Sequence, residues 1–141
     1  MADQAVASTV APPGDAAGRR PGWPVGLFRA VATLYALATV LQPFLAGMFL
    51  SGSFGALKAH ELTGQAVGGL GILTFVCAVL LWRVRGGSAL PVRFAGGLLV
   101  ATVLQIVIGY SRILVLHVPL GVAMVFGVGR LAVFAWREAG K

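Results

Sequence analysis

The chain contains two histidines, and both open the same short pattern, His60-x-x-x-Gly64 and His117-x-x-x-Gly121. A glycine four residues on lies on the same helical face as its histidine. On the first copy the stripe continues as Gly68 and Gly71. Two imidazoles brought to one level across a bundle can hold a metal between them, with bonds of about 2 Å to each. Glycines one turn deeper would leave a slot for a flat macrocycle. A bare zinc ion would need further ligands. Cys77 is the single cysteine, and Glu61 is the one acid between residues 27 and 137. The pattern therefore points to haem b held by His60 and His117 as the metal ligands, with Gly64 and Gly121 opening the space.

Other polar groups repeat in step with the histidines. Ala38-Thr39-Val40-Leu41-Gln42 recurs word for word as Ala101-Thr102-Val103-Leu104-Gln105, and Trp82-Arg83 recurs as Trp136-Arg137. Gln42 and Gln105 then occupy equivalent places. Either they bond to each other or to backbone and hold their helices together, or they touch the edge of a bound cofactor or a quinone. Lys58 and Arg112 fall at the same rim as the histidines. With haem present they are the cations placed to pair with its propionates; without it they are solvated loop charges. Glu61 is read as favouring the N-terminus of its helix. Pro119 is read as belonging to the first turn of the last helix.

The elements that position these residues follow from hydropathy. The chain is 58% apolar and 11% charged, against roughly 25% charged in a soluble domain. Its runs free of charge are Ala30–Leu57, Leu62–Trp82, Phe94–Ser111 and Ile113–Gly129. A helix needs about 20 apolar residues to cross a bilayer. Lipid leaves no solvent partner for backbone groups, so spanning segments are helices unless alternating strands close a barrel, and such alternation is absent here. The expectation is an all-α, integral membrane, up-down-up-down four-helix bundle built from a duplicated helical hairpin. Its helices are placed near 28–50, 60–82, 90–111 and 115–136, within a domain spanning 27–137. Residues 1–26, rich in Ala, Pro and Gly, read as a disordered tail.

Charge sets the orientation. With the N-terminus in the cytoplasm, that side carries Arg19, Arg20, Arg29, Arg83, Arg85, Arg93, Arg137 and Lys141, and the other side only Lys58 and Arg112. This bias places a multi-pass protein in the cell membrane with both termini cytoplasmic. The net charge of +7 is thereby accounted for without nucleic acid. Arg130 lies two turns inside the last helix, where it snorkels to the headgroups or meets a lipid phosphate or the bundle interior. Helices two and four then lie diagonally across the bundle, about 11–14 Å apart, with both imidazoles at the same depth.

Two resemblances attach to these motifs. Gln42-Pro43-Phe44-Leu45-Ala46-Gly47 resembles the Q-x-F-L-A-G motif of small four-helix bacterial membrane proteins of unknown function. His60 with Gly64, and Leu116-His117-Val118-Pro119, are similar to that family too, over about residues 28–137. This resemblance implies a topology and no activity. The chain is also similar, more loosely, to one four-helix half of haem A synthase, whose second and fourth helices carry haem-ligating histidines at the outer side. Only one half is present here, with one histidine pair. The resemblance therefore implies haem binding or a transient electron-transfer site rather than synthase activity.

Two functions stand against each other at this level. One is a b-type haem protein passing electrons to a membrane redox partner. The other is a cofactor-free accessory or assembly subunit of a larger membrane complex. The sequence shows no catalytic constellation: it has too few carboxylates for acid–base pairs and no converging Ser/His/acid set.

Overall fold

The structure, a computed structural model, describes residues 22–137 and Ala139. Four helices follow one another: α1 (Trp23–Leu50), α2 (Phe54–Arg85), α3 (Leu90–Tyr110) and α4 (Leu114–Arg137). Each is long and apolar enough to cross a membrane. α1 and α3 each pack against both α2 and α4. Among the described residues the diagonal pairs, α1 with α3 and α2 with α4, do not bring their backbones together. This is the expected bundle, with α2 and α4 at opposite corners.

Three helix starts differ from expectation. α1 starts at Trp23, with Pro24 in its first turn, so 23–26 is helix rather than tail; residues 1–21 lie outside the described residues. α2 starts at Phe54, six residues before the expected start, because no proline stands between Phe54 and His60 and the one glycine, Gly55, falls in the first turn. Glu61 is therefore inside α2 rather than at its N-terminus, and it pairs with Lys58 at 2.9 Å. α4 starts at Leu114, which puts Pro119 inside the helix and not in its first turn.

The two hairpin turns at the histidine end are built alike. After α1, Gly52 N–H donates to Phe49 O and Ser53 N–H to Met48 O. After α3, Arg112 N–H donates to Gly109 O and Ile113 N–H to Ile108 O. Both are the helix-ending arrangement that needs one left-handed residue. Gly52 takes it at φ 98° and Arg112 at φ 58°. The duplication seen in the sequence is thus repeated in backbone geometry.

The fully packed core lies toward the other end, where the helices carry Arg29, Arg83 and Arg137. Val25, Phe28, Ala32, Tyr35, Cys77, Ala78, Ala95, Leu98, Val128, Leu131 and Ala135 form it. Buried threonines Thr39, Thr74 and Thr102 each return their hydroxyl to the carbonyl one turn back, which makes them tolerable in an apolar interior. Tyr35 crosses the α1–α3 diagonal to bond the Thr102 hydroxyl. Gly71 gives its ring room, since a Cβ there would meet the phenol at 3.5 Å.

Arg29 fastens α1 to the end of α4. Its Nε donates to Ala135 O at 3.0 Å and its Nη2 to Trp136 O at 3.2 Å, and the guanidinium lies 5.3 Å from the Trp136 ring centroid. Trp136 Nε1 donates to Thr33 Oγ1 at 3.0 Å. The last carbonyls of a helix have no partner within it, so a cation from a neighbouring helix both bonds them and offsets the helix dipole. Arg29→Ala is expected to cost about 2 kcal/mol in thermal unfolding of the detergent-solubilised protein. Arg29→Lys is expected to recover less than half, because an ammonium cannot span two carbonyls as the planar fork does.

Candidate functional site

Above the core, at the end of the bundle formed by the 51–53 and 111–113 turns, the packing changes character. Between residues 40 and 66 of α1 and α2 only Ala56 is fully buried, and none is between 103 and 123 of α3 and α4. The histidines occupy this loosely packed half. Their rings meet across the α2–α4 diagonal with centroids 6.2 Å apart and planes at 62°.

Each histidine is locked to the glutamine of the preceding helix. His60 Nδ1 lies 3.1 Å from Gln42 O, and His117 Nδ1 lies 3.0 Å from Gln105 O. The carbonyls can only accept, so each Nδ1 carries the proton. In return the Gln105 amide donates to His117 O at 2.9 Å. The Gln42 amide, turned so that its nitrogen meets an acceptor, donates to His60 O at 3.1 Å. The repeated pentapeptide and the repeated His-x3-Gly are thus halves of one device: a reciprocal Gln–His bracket, made twice. Gln42 and Gln105 bond backbone across adjacent helices rather than each other.

The glycines serve this bracket. A Cβ on Gly121 would come within 2.8 Å of the Gln105 amide nitrogen, and one on Gly64 within 3.5 Å of the Gln42 amide. Further down the stripe, Gly68 faces Ile106 at 3.1 Å and Gly71 faces Tyr35 and Leu99 at 3.5 Å. The expected slot beneath the imidazoles is therefore occupied by glutamine, isoleucine and tyrosine side chains. Small residues here let helices and their side chains approach closely, which is their ordinary use in membrane bundles.

The two brackets are not identical. The Gln42 amide oxygen accepts from Thr63 Oγ1 at 2.7 Å and from Gly64 N–H at 3.2 Å. Counting from the histidines, Leu120 replaces Thr63 in the second copy, and Gln105 Oε1 is buried with no partner. Leu120→Thr is expected to supply the missing donor and raise stability by about 1 kcal/mol, read as a higher melting temperature.

Gly109 has no signal in the repeat, because Ala46 stands at the corresponding place in α1. Its missing Cβ would lie 2.8 Å from His117 Cε1 and 3.0 Å from Nδ1, so the His117 ring rests on the α3 backbone. At the rim, Tyr110 OH donates to Glu61 Oε1 at 3.2 Å and accepts from Gln65 Nε2 at 3.1 Å. Tyr110 and Gln65 were not anticipated from sequence, since neither belongs to the repeated motifs. Arg112 is exposed in the turn at the same end.

The arrangement has the chemistry of a ligand pair. Ligating histidines generally use one ring N–H on a carbonyl, which fixes the ring and presents the other nitrogen. Here both Nδ1 atoms are so engaged, and among the described residues neither Nε2 has a hydrogen-bond partner. Two imidazoles placed in line on one metal would have centroids about 6 Å apart; the rings here meet edge to face at 6.2 Å, which is also an ordinary aromatic contact. No set of three or more His, Cys, Asp or Glu side chains gathers among the described residues, so what they offer a metal at this end is at most the His60 and His117 pair. That suits an ion whose remaining positions are filled by a macrocycle.

Fold and site together define a multi-pass integral membrane protein with a duplicated histidine–glutamine bracket at one end. Comparison with family models, with curated proteins and with solved structures finds no match to the chain.

Proposed function

We propose that the protein is a membrane electron-transfer protein that holds one b-type haem between His60 and His117. The observation that carries this reading is the pair of Nδ1-anchored imidazoles with centroids 6.2 Å apart. The residues fit the group in part. The ligand pair and its anchoring suit a six-coordinate iron, while the glycine stripe is filled and offers the macrocycle no place. His60 and His117 would hold its iron, and Arg112, exposed in the turn at the same end, would be a cation available to a propionate. Bound haem supplies one-electron chemistry. The chain's own residues anchor both rings through Nδ1, and the Gln42, Gln105, Ile106 and Tyr35 side chains fill the stripe below them.

The positive-inside bias supports a cell-membrane location, with both termini in the cytoplasm and the histidines at the outer face. The resemblance to a haem A synthase half points the same way. The test is a reduced-minus-oxidised spectrum of the purified protein made with ample haem. A b-type α band at about one haem per chain is expected. Haem-free, folded protein under those conditions would instead favour a cofactor-free accessory subunit.

A further inference from the structure

At the opposite end of the bundle, the outer face of α4 carries a groove of about 590 Å³ lined by Val125, Phe126, Gly129, Arg130, Val133 and Arg137. Residues 126, 130, 133 and 137 are spaced four, three and four apart, so they share one helical face. That face turns away from the bundle: Phe126 is 71% and Val133 51% exposed. Gly129 makes the notch, with nothing within 4 Å of where its Cβ would be.

We propose that this groove binds one anionic phospholipid, its phosphate between Arg130 and Arg137 and an acyl chain along Phe126, Gly129 and Val133. Arg130 and Arg137 are seven residues apart, about 10 Å along the axis. Arg130 lies deeper and snorkels toward the headgroups, which is toward Arg137 at the end of α4. A guanidinium at this depth in lipid is costly unless it meets an anion. Among the described residues the one ion pair is Lys58–Glu61, at the other end of the bundle. A phosphodiester offers charge-assisted, bidentate acceptors at the membrane boundary. The apolar strip below has no use for a soluble anion and suits a hydrocarbon chain. Charge and shape thus select a lipid rather than free phosphate.

The test is native mass spectrometry of the full chain in detergent, titrated with phosphatidylglycerol, phosphatidylcholine or inorganic phosphate. One tightly retained phosphatidylglycerol is expected, with little phosphatidylcholine and no effect of inorganic phosphate. At about a factor of five for each cation near a headgroup, Arg130→Gln is expected to weaken phosphatidylglycerol binding about fivefold and Arg130→Gln with Arg137→Gln about thirtyfold. Arg93→Gln, which removes a charge outside the groove, is expected to change it little. Gly129→Leu should weaken binding with both arginines intact, since its side chain fills the notch in open space. Equal affinity of the double variant and the unmodified chain would overturn the proposal. So would an equal loss in Arg93→Gln, or displacement of the lipid by inorganic phosphate.

Discussion

His117→Ala, in protein produced with ample haem, is expected to abolish the b-type difference spectrum while the four helices remain folded. His60→Ala should do the same. Haem held by His60 and His117 would need both imidazoles, and a single remaining ligand would hold it far less tightly. The helices survive because neither ring belongs to the packed core. That core lies around Phe28, Tyr35 and Leu131, and the rings sit beyond it. Helical content by circular dichroism separates loss of ligand from loss of fold. Imidazole added to a His117→Gly variant should restore part of the signal by occupying the vacated position. Full haem content in either alanine variant would remove the bis-histidine reading.

Three glycine-to-alanine changes form the second test, and their signs are expected to differ. Gly64 and Gly121 are equivalent in sequence, yet the structure separates them. At Gly64 an added methyl meets the Gln42 amide at 3.5 Å, ordinary contact, and alanine gains up to about 1 kcal/mol of helix propensity. At Gly121 the approach to the Gln105 amide is 2.8 Å. That amide must swing off His117 O, and its loss of a bonded partner offsets the propensity gain or exceeds it by about 1 kcal/mol. Gly109→Ala is expected to be the worst, at about 2 kcal/mol, because the methyl strikes the His117 ring at 2.8 Å. The ring is held by the Gln105 carbonyl and cannot turn away without giving up that bond. Thermal unfolding of the three variants side by side reads the order Gly64→Ala, Gly121→Ala, Gly109→Ala from most to least stable. A Gly64→Ala loss as large as that of Gly109→Ala would show that the bracket is tight on both sides.

The sequence by itself determined the class of fold, because lipid imposes length and apolarity on each spanning helix whatever its neighbours are. It determined the duplication too: identical words at Ala38–Gln42 and Ala101–Gln105 become equivalent Gln–His brackets, alike in the Nδ1-to-carbonyl bond and different at the amide oxygen. The depth match of His60 and His117 followed from counting residues along two helices that run the same way. Helix starts were less legible, since α2 reaches back to Phe54 across Lys58, a charge that marks a boundary in hydropathy but not in backbone geometry.

What fills the glycine stripe was decided only in three dimensions. A glycine in sequence marks close approach without saying by what, and here the visitor is a glutamine amide or a histidine ring from the neighbouring helix. Gly109 shows the point most plainly, because its partner His117 comes from a different helix and its counterpart in the repeat is Ala46. The orphaned Gln105 oxygen and the Arg29 bonds to the end of α4 are likewise pairings between helices. Hydropathy and spacing act along one chain segment at a time, whereas these depend on which faces two packed helices turn to each other.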